Sequence, residues 1–276
     1  MTVLDLAIVP ILAVHISADV LSPAWTSLGF VGLAIFLFVG SFRLREDEIP
    51  RIALLTSAFF VASSIHIKVP PSSVHLLLNG LAGVILGRRV CIAIPVGLLL
   101  QAVLLGHGAI STLGVNSCVM VLPALVAKPL FGLLMRDESL GVGEGFLALS
   151  WLLYPWSVLA TGPLVFGLRR IHQRMQMTRV FFCGFLLGAG TVFMTSVLHS
   201  LVLTLGGIED WRPVAALSLV LHIPVALIEG IIVGTMVDVI IKVKPSLLLS
   251  DRVNASAITP AETPRPAALP TVPAPR

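Results

Sequence analysis

Long apolar runs divided by short polar breaks dominate this chain. Runs near 24–42, 51–67, 74–87, 90–106, 114–135, 146–168, 179–206 and 213–242 read as candidate bilayer crossings, since about 20 apolar residues are needed to span one as a helix. Two of them fit poorly. The run 74–87 is short, and 146–168 is interrupted by Pro155 and Pro163. One of the two is expected to be re-entrant or interfacial, which is tolerated where protein covers the backbone. Residues 1–14 are apolar but too brief to span, and they lack the basic start of a secretory signal. Beyond Pro245 the pattern stops. Residues 250–276 are rich in Pro and Ala with almost no large apolar groups, the composition of a disordered tail. The predicted organisation is an extension over 1–14, a membrane domain over 15–245 and a tail over 246–276.

Composition sharpens the class. The chain is 57% hydrophobic and 12% charged, about half the charged share of a soluble domain, and its mean hydropathy is +1.01. The expected fold is an all-α polytopic membrane protein, a bundle of about six to eight transmembrane helices with one short re-entrant or half helix. Its basic residues gather as Arg43/Arg45/Arg51, Arg88/Arg89, Arg136, Arg169/Arg170/Arg174/Arg179 and Lys242/Lys244. If 74–87 crosses and 146–168 does not, all of these fall on one side. That side is the cytoplasm by the positive-inside rule, in a multi-pass protein of the cell membrane with a cytoplasmic C-terminus. These loops account for the net charge of +4, and no nucleic-acid patch stands behind it. Cys91, Cys118 and Cys183 lie in apolar context without a CxxC pair and read as small buried hydrophobes. The pairs Gly83/Gly87, Gly184/Gly188 and Gly230/Gly234 argue for close helix contacts.

Candidate chemistry concentrates in the break before Asn79. His66, Lys68, Pro70-Pro71, Ser72-Ser73 and His75 stand there between apolar runs. The prolines stop the preceding helix, and Ser72 or Ser73 is placed to N-cap a new one. On that helix His75, Asn79, Gly83 and Gly87 form a polar and small stripe, with His75 facing inward at the first turn. An ordinary polar loop gives the same pattern, but buried polar groups in a membrane are costly and tilt the reading towards function. His15 and His75 are the leading candidates to bind a metal ion, since imidazole suits Ni, Co, Cu and Zn. His66 ranks below them because Lys68 would repel a cation; Asp19, Asn79 and His107 are weaker candidates. Gln101 and Gly106-His107-Gly108 read as a tight interhelical turn. His222 and Glu229, seven residues apart in the last run, lie on roughly one helix face and could join one hydrogen-bond network. No HExxH, GxSxG or nucleotide-binding loop is present, so an enzyme is not expected, and no intrinsic cofactor.

Read together, His15-Ile16, Pro71-Ser-Ser-Val-His75, Leu99-Leu-Gln101 through Gly106-His107-Gly108, Thr112-Leu-Gly114-Val-Asn116 and His222-Ile-Pro224 through Glu229-Gly230 resemble the CbiM/NikM family over residues 15–245. These are the substrate-binding membrane components of cobalt and nickel energy-coupling-factor (ECF) transporters. The resemblance implies an ECF S-component-like bundle that captures Co(II) or Ni(II) on the outer side, with cobalamin biosynthesis as one use of the ion. It implies partners too: a transmembrane coupling subunit, cytoplasmic ATPases and a small accessory membrane protein. It further implies nitrogen ligands: an N-terminal amine, the next amide nitrogen, the histidine in second position (here His15) and the equivalent of His75. The chain departs from the family in having Val14 and thirteen further residues ahead of His15, Ala18-Asp19 for an acidic-glycine pair, and Leu76-Leu77 for Pro and Thr. The expectation is that the chain is trimmed to begin at Val14, or that Asp19, Asn79 or His66 substitutes for the amine. A metal-free scaffold or regulatory homologue that kept the bundle is the alternative, and a haem or quinone protein with paired histidines a third.

Overall fold

The computed structural model describes residues 16, 18–69, 72–136 and 179–248. They form seven helices and one hairpin: α1 Pro23–Ser41, α2 Ile49–Ser64, β1 His66–Val69, β2 Ser72–His75, α3 Asn79–Leu86, α4 Val90–Leu100, α5 Leu113–Arg136, α6 Arg179–Gly206 and α7 Arg212–Val243. Apart from the hairpin, the described residues form a polytopic helical bundle. Pro23–Ser41, Asn79–Leu105, Ile110–Met135, Arg179–Gly206 and Arg212–Val243 are long and apolar enough to cross a membrane. Large apolar side chains such as Phe38 (70% exposed) and Leu54 (69%) cover the outside, as lipid requires of a surface that water would reject.

Close contacts fix the direction of each helix. Gly29 lies against Val115 and Gly32 against Cys118, so α1 and α5 run parallel. Arg89 reaches Glu48, and Phe59 packs on Gly97, so α2 and α4 run together in the opposite sense. Gly184 meets Gly234 and Gly188 meets Glu229, which makes α6 and α7 an antiparallel pair in the most extensive interface of the fold. These are the contacts the glycine spacing predicts: a methyl group at Gly188 would strike the Glu229 carbonyl.

The stretch 79–105 does not cross as one helix. α3 runs alongside α5 in the same direction, with Asn79 beside Met120, Gly83 beside Ala124 and Gly87 beside Lys128. Gly87, in the left-handed region at φ 54°, ends it where a side chain would be strained. α4 then returns beside α1, with Cys91 at Gly40 and Gln101 hydrogen-bonded to Ser63. The short run 74–87 holds only the eight-residue α3, one of the two places where a re-entrant or half helix is expected; the other, 146–168, lies outside the described residues.

One end of the bundle collects the basic residues. The Arg89 guanidinium caps the end of α1 through the carbonyls of Gly40 (2.6 Å), Phe42 (2.9 Å) and Arg43 (2.7 Å), and it pairs with Glu48 at 2.6 Å. Arg179 donates to the Leu134 carbonyl at 2.8 Å, so α6 begins where α5 ends. At the far end the segment after Ile16 is strapped to the α6–α7 turn. Ser22 N–H donates to Gly206 O (2.9 Å) and Ile208 N–H to Val20 O (3.1 Å). The runs 1–14 and 146–168 and the tail from 249 lie outside the described residues.

Candidate metal site

β1 and β2 pair antiparallel with His66 opposite His75, so the break before Asn79 is a hairpin and not the start of a helix. This corrects the expectation that Ser72 or Ser73 caps a helix carrying His75 in its first turn. The physical reason lies in α7. Glu229, fully buried, accepts hydrogen bonds from the backbone N–H groups of Leu77 and Leu78, the latter at 2.8 and 3.0 Å. Those amides are drawn to a carboxylate instead of joining a helix, Leu78 sits in the left-handed region at φ 48°, and the helix begins only at Asn79. Asn79 and Gly83 of the expected stripe remain on α3, and His75 lies ahead of it.

The His75 side chain is 1% exposed. Its Nδ1 lies 3.0 Å from the Leu76 carbonyl, which can only accept; the proton therefore sits on Nδ1, and Nε2 is the nitrogen that carries the lone pair. A backbone carbonyl that fixes the tautomer in this way is what orients metal-ligating histidines.

Asn79, fully buried, has three partners: its Nδ2 donates to Thr195 Oγ1 (2.8 Å) and to Met120 O (3.4 Å), and its Oδ1 accepts from Gly80 N–H (2.9 Å). It ties α3 to α5 and α6, so its amide is spent on the floor of the site and not offered as a ligand. One turn along α5 from Met120, Asn116 holds the N-terminal segment. Its Oδ1 accepts from Ile16 N–H (2.9 Å), and its Nδ2 donates to Ile16 O (3.1 Å), which also accepts from Thr112 Oγ1 (2.6 Å). Residues four apart share a helix face, about 6 Å apart along the axis. The backbone next to His15 and the loop carrying His75 are thus fastened to consecutive turns of one face of α5.

The remaining candidates separate. His15 lies outside the described residues. His66, ranked below His15 and His75 in the sequence as a third ligand across the proline turn, is the cross-strand partner of the His75 backbone. Asp19 is exposed in a left-handed turn (φ 61°). His107 is half-buried in the Gly106–Gly108 turn between α4 and α5, its N–H donating to Gln101 O at 3.1 Å, as the glycines flanking it predict. Glu229 and His222 do not share a hydrogen bond: Glu229 serves the loop amides, and His222 Nδ1 bonds Ser218 O of its own helix at 2.6 Å. Sequence reasoning missed the Asn116 clamp and the Glu229 lock, whose partners are backbone atoms without a sequence signature, and it passed over His199.

A helical bundle with apolar outer faces and a polar loop let into one end is an architecture suited to a membrane binding or transport component. The chain belongs to the CbiM family: residues 15–153 and 156–247 match its description, the cobalt uptake substrate-specific transmembrane region. A Haemophilus influenzae protein named for metal transport is 32% identical over 241 residues, 85% of this chain and 96% of that one. The cobalt transport protein CbiM of Geobacter sulfurreducens is 27% identical over 252 residues, 87% of this chain and 62% of its own length. The fold is shared with a crystal structure of a transition metal transporter at a TM-score of 0.59 and 17% identity, covering 88% of this chain and 98% of that one.

Proposed function

We propose that the chain captures Co(II) or Ni(II) at the far end of the bundle and delivers it to an ATP-driven coupling complex of the ECF type. The observation that carries this reading is the convergence on α5: Asn116 grips the residue after His15, and Met120 anchors the loop floor four residues after His75. Borderline divalent ions exchange water for imidazole and amine nitrogen readily, and the tautomer of His75 turns its lone pair to Nε2. In this reading His15 and His75 are the ligands, joined by the amine of a chain trimmed to Val14 or, in an untrimmed chain, by His66. Asn79, Asn116 and Glu229 position them. The far end then faces outside and the basic end the cytoplasm, where the coupling subunit and ATPases act.

Equilibrium dialysis of the purified protein against Co(II) and Ni(II) tests the reading. His15→Ala and His75→Ala are each expected to abolish tight binding with the thermal unfolding temperature unchanged. Full binding in both variants would leave the metal-free scaffold as the better account. The mass of the purified chain decides the terminus: an intact Met1 removes the amine from the ligand set.

A further inference from the structure

Between the outer halves of α6 and α7 lies a second group of buried imidazoles. His199 is 1% exposed, His222 3% and Ser196 1%. The antiparallel register set by Gly188 on Glu229 and by Ser200 Oγ donating to Ala215 O (2.9 Å) places Ser196 across from His222. His199 follows Ser196 one turn on along the same helix. Ser218 O accepts from Nδ1 of His222, so its Nε2 bears the lone pair. That nitrogen, both ring nitrogens of His199 and the Ser196 hydroxyl have no hydrogen-bond partner among the described residues.

Polar atoms so placed in a membrane interior are costly and are retained where they act on something. Among the described residues no aromatic stack, ion pair or carboxylate accompanies this group; the nearest carboxylate along α7, Glu229, lies two turns away and is engaged with Leu77 and Leu78. What the cluster offers is nitrogen lone pairs and a hydroxyl, the donor set of a borderline divalent cation. It also adjoins the candidate capture site, because Thr195, which receives Asn79, is the neighbour of Ser196.

We propose that His199 and His222, with Ser196, form a second, transient binding station for a divalent transition-metal ion inside the bundle. The proposal rests on the reading of the chain as a metal-transport component. Two imidazoles and a hydroxyl leave coordination positions to water, so the ion is held weakly enough to be passed on, as successive sites in a conduction path require.

The test uses the full chain in detergent with Co(II), bound metal counted by elemental analysis after dialysis. His75→Ala protein, with the tight site removed, is expected to retain one weakly bound Co(II) per chain. Adding His199→Gln and His222→Gln is expected to weaken that binding about ten-fold or more, since losing even an outer-shell partner of a metal ligand costs about that much, and to change the visible Co(II) absorption. Unchanged stoichiometry and spectrum would overturn the station. X-ray absorption of the Co(II) held by His75→Ala protein is independent of whether the glutamine variants fold: imidazole scattering is expected, and an all-oxygen shell would overturn the proposal. If His75→Ala binds as tightly as the parent, the capture assignment fails instead, and the station is judged by the two glutamine substitutions in the otherwise unaltered chain.

Discussion

Glu229 shows how one side chain shapes the candidate site from a distance. It touches no predicted ligand, yet it holds the amides two and three residues past His75. Removing it leaves two buried N–H donors unpaired, each costing about 1–3 kcal/mol. Glu229→Leu is therefore expected to lower stability by about 2–5 kcal/mol and to weaken Co(II) binding through a loosened His75 loop. Glu229→Gln, whose amide oxygen still accepts, is expected to fall between. Thermal unfolding and metal titration of the three proteins check this, and a Leu variant with parental affinity would detach the lock from the site. An acidic residue inside the last apolar run was legible in the sequence. Its partner was not, because Leu77 and Leu78 contribute only backbone, and no residue type advertises a backbone donor.

At the scale of elements, apolar periodicity located most helices to within two or three residues: α6 occupies 179–206, and α5 extends over Leu113–Arg136. It failed where tertiary contacts override local preference. Leu76–Leu78 reads as helix by composition, and Glu229 together with the His66–His75 pairing turns it into loop and strand. What does place α3 is glycine, since the backbone of Gly83 approaches the Ala124 carbonyl so closely that a Cβ cannot fit. Gly83→Val is expected to push α3 off α5, costing about 1–3 kcal/mol as overpacking does. It should carry Asn79, and with it the loop floor, away from Met120 and Thr195. Reduced metal affinity along with a lower unfolding temperature is the expected pair of results; an unaffected unfolding temperature would contradict the packing.

Across the whole molecule, the two ends are held by different physics. The far end is stitched by backbone and amide hydrogen bonds, the basic end by Arg89 and Glu48. The Arg89 hydrogen bond holds the Glu48 carboxyl below its ordinary range. Its folded-state value thus lies under the unfolded value of about 4.3. The stabilisation is complete above that value and is lost as pH falls through the lowered one. The unfolding temperature is expected to drop over that acid range in the parent, and Glu48→Gln should remove this part of the drop. The same end bears Arg43, Arg45, Arg51, Arg88, Arg179, Lys242 and Lys244 because α1, α5 and α7 run towards it and α2, α4 and α6 away. The helix directions follow from residue contacts and not from any assumed orientation, so the charge rule adds a separate argument for the proposal that this end faces the cytoplasm. Single cysteines separate the two orientations: Leu44→Cys at the basic end and Ile208→Cys at the far end, both exposed, in a chain whose three native cysteines are replaced by Ala. A membrane-impermeant maleimide is expected to label Ile208→Cys on intact cells and Leu44→Cys only on inverted vesicles. The reverse pattern would put the His75 loop on the cytoplasmic side, where capture from outside is impossible, and would reverse the direction of transport proposed for this protein.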